Sequence, residues 1–242
     1  MKYKLKIIID NILSFFLPRT CFCCGADLKT KHLLCPSCMK KVETIKGLIC
    51  ERCGMPLKSG GKYCYNCRGS KAAKYKCSFI RSALKFNEPT RALIHAFKYE
   101  GYENIAPYFA ELMYNTYRKN AVYFEAAFLV PVPIYKRRQR KRGFNQAEVL
   151  AKHFSKICSI PVLNALVRVK NTASQTKLTR EQRKENIEGA FVLAKGMEGK
   201  IRKAAIILID DVCTTGATLD DCARILKEAG AREVLALTAL RE

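Results

Sequence analysis

The feature that most limits what this chain can become is a cysteine pattern that repeats. Cys-x-x-Cys pairs stand at 21/24, 35/38, 50/53 and 64/67, and adding 29 to the first two pairs gives the last two. Gly25 and Leu28 map onto Gly54 and Leu57 by the same offset, so each unit reads C-x-x-C-G-x-x-L-x6-C-x-x-C. One Cys-x-x-Cys turn aims two thiolates at a common point, and two such turns complete the tetrahedron that zinc prefers. The duplication argues that each 18-residue unit closes its own site. Cys21 and Cys24 then pair with Cys35 and Cys38, and Cys50 and Cys53 with Cys64 and Cys67. An interleaved pairing is the alternative. Between Cys50 and Cys67 the larger apolar side chains are only Met55, Leu57, Tyr63 and Tyr65. So few cannot offset the ordering entropy of the segment, whereas structural zinc contributes on the order of 10 kcal/mol. Disulfides would need an oxidising compartment that nothing here indicates. A redox Cys-x-x-Cys normally stands alone on a thioredoxin-like strand and helix. Four thiolates leave no open coordination place, so both sites read as structural supports. Cys23, Cys77, Cys158 and Cys222 read as small apolar residues.

A second constraint is the stretch "AAIILIDDVCTTGATL" from Ala204 to Leu219. Residues 204–209 are uniformly apolar, as a strand covered on both faces of a parallel sheet must be. After the turn, Leu219, Cys222, Ala223 and Leu226 recur at helical spacing, Gly230 suits a C-terminal cap, and Val234 to Leu240 reads as another strand. Such βαβ units bind ligands at the carboxyl ends of their strands. There lie Thr214, Thr215, Gly216, Ala217 and Thr218, whose helix-start amides and hydroxyls suit a phosphate, with Gly216 allowing close backbone approach. A phosphate alone would be repelled by Asp210 and Asp211. The doublet makes sense if the ligand also offers hydroxyls or brings a divalent cation. A ribose 5-phosphate meets both demands. The plainer alternative is a strand, turn and helix in which the aspartates only cap. Cys213 in this loop could gain reactivity from the helix terminus, or simply be a variable loop position.

Charge points the same way. The 242 residues carry 44 basic and 21 acidic side chains, a formal net charge of +23. Nucleic acid, polyphosphate or anionic lipid are the natural partners of such an excess, unless it is only a basic surface. Six of residues 136–142 are basic, among them Arg137, Arg138, Arg140, Lys141 and Arg142, and they read as anion contacts or as a solvated face. Phe128 to Val130 reads as a strand, and Asn145 and Gln146 open a helix whose Val149, Leu150, Phe154 and Ile157 point inward. A short strand is expected around Phe79 to Phe86, followed by helices. His95 reads as a packed side chain, and Tyr135 and Phe144 as packing groups or stacking platforms for bases. Residues 168–191 are either a mobile flap or a surface connection. Residues 1–20 suggest an amphipathic helix docking on the protein's own core rather than on a membrane. No stretch is long and apolar enough to span a bilayer, and the chain reads as cytoplasmic.

"ILIDDVCTTGATL" resembles the phosphoribosyl-pyrophosphate signature of type I phosphoribosyltransferases. The order Cys-rich ribbon, K-Y-x-G at Lys98 to Gly101, P-V-P, R-G-F-N-Q, R-x-x-N-x-x-G-A-F and D-D-V-x-T-T-G-A-T resembles the ComF family of competence-associated proteins. That resemblance implies an α/β fold with a type I phosphoribosyltransferase-like parallel sheet flanked by helices over residues 75–242. A Cys-rich double zinc ribbon over 21–70 would precede it. It further implies that phosphoribosyl pyrophosphate, with magnesium, sits on Asp210, Asp211 and the loop 214–218. Pro131, Val132 and Pro133 would then meet the pyrophosphate. Single-stranded DNA and a competence helicase are the partners it implies, in DNA uptake for natural transformation. An active transferase with an unidentified acceptor, and a sensor of the phosphoribosyl donor, are the alternatives. No acceptor pocket is legible.

Overall fold

The computed structural model describes residues 20–29, 32–68, 76–171 and 189–242. The expected helix over residues 1–20 and most of the expected flap lie outside them. The strands are β1 (Phe79–Lys85), β2 (Phe128–Pro131), β3 (Leu166–Arg168), β4 (Phe191–Leu193), β5 (Ala205–Cys213) and β6 (Glu233–Arg241). Four of them form a parallel sheet in the order β1-β6-β5-β2, and β3 pairs with β4 in a separate antiparallel ribbon. The helices are α1 (Pro36–Lys40), α2 (Glu88–His95), α3 (Ala106–Arg118), α4 (Lys136–Arg142), α5 (Gln146–Cys158), α6 (Glu198–Ile201) and α7 (Ala217–Glu228). A parallel sheet flanked by helices and preceded by a Cys-rich ribbon is the fold class the sequence implies.

Alternation on the two central strands divides the core. Ile207, Ile209, Leu235 and Leu237 join a cluster with Phe109, Met113, Leu150 and Phe154 of α3 and α5. Ile206, Leu208, Val234 and Ala236 join Leu219, Cys222 and Leu226 of α7. Both faces are therefore buried, which is why residues 205–209 and 234–237 are apolar at every position. The helix α5 starts at the expected place, where the Asn145 side chain accepts a hydrogen bond from Ala147 N at 3.1 Å. Its apolar stripe is narrower than expected: Leu150 and Phe154 are buried, but Ile157 is 37% exposed. The strand β5 runs past the apolar stretch through the doublet, because pairing with β6 continues from Asp210–Thr238 to Cys213–Arg241.

The cysteine-rich residues pack directly on this sheet. Leu34, Cys35 and Cys38 belong to the same core cluster as Phe97 and Phe109. Ile45 N donates to Ala83 O at 3.4 Å, Lys85 N to Glu43 O at 2.9 Å and Ile80 N to Arg52 O at 2.7 Å. The outer edge of β1 is thus occupied by backbone from the ribbon. Gly54 shows how close the approach is, since a Cβ there would meet Ile80 O at 2.7 Å and its φ is +67°. Gly54→Ala is expected to cost about 2–4 kcal/mol, read as a fall in the thermal midpoint, whereas Gly25→Ala has nothing within 4 Å and should cost only the strain of its positive φ.

Candidate functional site

A cleft of about 400 Å³ opens at the carboxyl ends of β2 and β5. From the expected site it gathers Asp210, Asp211, Thr214, Gly216, Ala217 and Thr218, together with Val132, Pro133, Arg138 and Arg142. The Pro-Val-Pro segment is held in place by Val132 N donating to Ile209 O at 2.9 Å and Asn145 Nδ2 donating to Val132 O at 3.1 Å. Pro131, Thr215, Arg137, Arg140 and Lys141 do not line the cleft. Pro131 is buried as the last residue of β2. Thr215 Oγ1 accepts from Ala217 N, the first amide of α7, at 3.3 Å. The basic run forms α4, which presents Arg138 and Arg142, one turn apart, to the cleft and leaves Arg137, Arg140 and Lys141 exposed. Gly216 is required by its φ of +81° at the N-cap; it lines the cleft, and a Cβ there would face Ile80 and Cys213.

The doublet is not a pair of open carboxylates. Asp211 is buried, and its Oδ2 lies 3.0 Å from Lys98 Nζ. Asp210 is half-buried, and its Oδ1 accepts from Asp211 N at 2.8 Å. Burial first, and the neighbouring Asp211 second, push the Asp210 carboxyl up to about 7, against the pull of Lys98 and Arg168. A carboxyl that titrates near neutrality in a cleft marks a place where charge is meant to change or be met. Burial weakens the charged form of Arg168, and Arg138 adds to that; for Arg138 the causes are burial and Arg142. An anion in the cleft would relieve both.

Several residues here carried no assigned role in the sequence. Lys98 sits on the π-helical turn Ala96–Glu100 that closes at Gly101, and such turns often mark functional sites. Arg142 stacks over Tyr99, with its carbon Cζ 5.0 Å from the ring centroid. Arg168 occupies the inward position of β3 while Val167 and Val169 point outward. A charged side chain on the buried side of the strand beside Leu166, with valines on the exposed side, was the available signal for Arg168. His95, expected to be packed, is instead exposed at the rim, with Nδ1 3.0 Å from Glu100 Oε1. Phe144 is buried and packs on Phe97 at 5.5 Å, so it is not a base-stacking platform. Cys213 is buried, and burial pushes its thiol up to about 11, the opposite of an activated nucleophile. Cys77 and Cys222 are buried as expected, whereas Cys23 and Cys158 are only partly so.

The eight paired cysteines form two groups, Cys21, Cys24, Cys35 and Cys38, and Cys50, Cys53, Cys64 and Cys67, with all sulfurs of a group within 4.8 Å of one another. Cys24 and Cys35 Sγ are 3.7 Å apart, as are Cys53 and Cys64 Sγ. A zinc tetrahedron with bonds of about 2.3 Å has edges of about 3.8 Å, so the donor sets fit the ion. The pairing follows the repeat, not the interleaved alternative.

Residues 12–68 match the double zinc ribbon domain family, and residues 140–241 match the phosphoribosyl transferase domain family. Competence protein F of Haemophilus influenzae is 32% identical to this chain, with 92% of the chain and 96% of that protein covered. Competence protein ComFC of Bacillus subtilis is 33% identical, with 88% and 86% covered. The DNA utilization protein YhgH of Escherichia coli K12 is 28% identical, with 90% and 95% covered. No helix among the described residues is long and apolar enough to cross a membrane. With the cysteine groups, the sheet and the cleft loop on one chain, and relatives matching over nearly its whole length, this protein belongs to the ComF family.

Proposed function

We propose that this protein binds phosphoribosyl pyrophosphate with magnesium in the cleft and single-stranded DNA on the adjoining basic face, as a component of DNA uptake. The observation that carries this reading is the meeting of unlike charges in one cleft. The acidic doublet and the Thr214–Thr218 turn stand at the strand ends, facing Lys98, Arg138, Arg142 and Arg168. A sugar polyphosphate needs both: acceptors for hydroxyls and a cation, and donors for phosphate oxygens. The hydroxyls of Thr214 and Thr218 and the start of α7 meet the 5-phosphate. Asp210 and Asp211 accept from the ribose hydroxyls. Lys98 leaves Asp211 for the pyrophosphate, beside Val132 and Pro133. Magnesium, when bound, neutralises pyrophosphate charge.

Calorimetric titration with the donor and magnesium tests this. The double variant Asp210→Asn/Asp211→Asn is expected to bind at least about tenfold more weakly, the order of losing one charge-assisted bond. A loss under about threefold would remove the doublet from the site.

The outward Arg137, Arg140 and Lys141, with Arg138 and Arg142 at the rim, form the nucleic-acid face. The affinity for an oligothymidylate, followed by fluorescence anisotropy, is expected to fall steeply with salt. Neutralising Arg137, Arg138, Arg140 and Arg142 should flatten the slope of log K on log salt by about 3, at roughly 0.7 per phosphate contact on a single strand. An unchanged slope would move the interface elsewhere.

A further inference from the structure

Two buried arginines have no carboxylate within ion-pair distance among the described residues. Arg81 and Arg241 are 8% and 6% exposed, and neither makes an ion pair among the described residues. The Nε of each also lacks a partner. A guanidinium does not shed its proton, so burying one costs several kcal/mol unless opposite charge lies close. Both are found at the second four-cysteine group. Arg81 donates from Nη1 to Ile80 O at 2.8 Å and, more weakly, to Cys50 O at 3.4 Å, and from Nη2 to Glu51 O at 2.9 Å, with its plane over Phe79 at 3.7 Å. Arg241 donates from Nη2 to Cys53 Sγ at 3.9 Å and from Nη1 to Cys213 Sγ. Four thiolates around a divalent ion leave a net charge of about −2, which two guanidinium groups balance. Among the described residues, no arginine or lysine donates to the sulfurs of the first group, where Ser37 Oγ lies 3.0 Å from Cys35 Sγ. The two sites are duplicated in sequence but not in surroundings.

The second contact of Arg241 reaches the cleft. Cys213 is the residue before Thr214, its sulfur lies beneath Gly216 where a Cβ would be 3.9 Å away, and its carbonyl accepts from Glu242 N at 3.1 Å. We infer that Arg81 and Arg241 are the counter-cations of the second metal site, and that Arg241 fastens this site to the cleft loop by holding Cys213. Metal in the second site thereby becomes a support of the loop, while metal in the first site supports only the ribbon and the α2–α3 face. The role of Arg241 is to position: it touches a metal ligand and a loop residue, not a substrate.

The test needs no knowledge of the cleft's ligand. The full zinc-loaded chain is mixed with a chelating dye, and zinc release is followed in parallel with alkylation of Cys213 by iodoacetamide, read by peptide mass spectrometry. Arg241→Met is expected to speed the loss of one of the two ions by about 10-fold or more, the usual cost of removing an outer-shell partner, and to speed Cys213 alkylation similarly. The other ion should leave at the wild-type rate. Arg241→Lys, which keeps the charge, should restore most of the slow release. Should Arg241→Met fail to fold, Cys53→Ser must expose Cys213 with Arg241 intact, and Cys24→Ser must not. Unchanged release, equal acceleration of both ions, or a Cys213 that stays protected when the second site is emptied would overturn the inference.

Discussion

Asp210→Asn is expected to make the folded protein more stable at pH 8 while weakening binding of the phosphoribosyl donor. The sign follows from the direction of the shift. The folded state holds this carboxyl up to about 7, against an ordinary value of 3.8, so between those values the folded protein binds protons that the unfolded chain has released. Its stability therefore falls as pH rises through that window, and the full penalty is present above pH 7. Three pH units would amount to about 4 kcal/mol as an upper bound. Because the burden is shared with Asp211 and Lys98, about 1–3 kcal/mol is expected, or about 2–10 °C in the thermal midpoint. Asparagine removes the charge but keeps an oxygen for the Asp211 N–H, whose bond is 2.8 Å. The gain should shrink below pH 7 and vanish near pH 4. Melting curves of both proteins across pH 4–8 decide it: a variant less stable than wild type at pH 8 would mean that the carboxylate is already satisfied without a ligand. Stability withheld at a residue proposed to bind ligand fits the trade-off between stability and function.

Stripping the metals is the change expected to cost most. Between Cys50 and Cys67 the ribbon has few apolar side chains of its own, and structural zinc in small domains supplies on the order of 10 kcal/mol per site. The effect should spread, because Arg52 O, Glu43 and Ile45 hydrogen-bond to β1, and Leu34, Cys35 and Cys38 belong to the main cluster. A strong chelator is expected to remove two zinc ions per chain, one for each four-cysteine group, and to lower the thermal midpoint by more than about 10 °C. A midpoint within about 2 °C of the loaded protein would show that the cysteine groups are closed without metal.

The cysteine repeat and the strand–turn–helix around the doublet were legible because each is local: spacing alone puts thiolates at one point and carboxylates at a strand end. The pairing within each repeat was legible for the same reason. Contributions from distant segments were not. Nothing in the spacing around Lys98 says that a π-helical turn will bring its Nζ to 3.0 Å from Asp211. The basic run was visible, but splitting it into two cleft-facing arginines and an exposed remainder needed the helix phase of α4. His95 was misread because its apolar neighbours Leu93, Ile94, Ala96 and Phe97 are all buried, whereas its own position turns to the surface. The isolated Arg168 between two valines was the most informative overlooked signal, a charge on the buried side of a short strand.

The way β1 is covered has a practical consequence. Its sequence, FIRSALK, is suited to strands, and the groups on its outer margin are taken up by the ribbon backbone. A shortened protein beginning at residue 76 would bare that margin and offer it to any neighbouring polypeptide, the situation that leads to precipitation. The two halves are thus not interchangeable parts, and the phosphoribosyl transferase-like half should be studied only with its cysteine-rich companion attached.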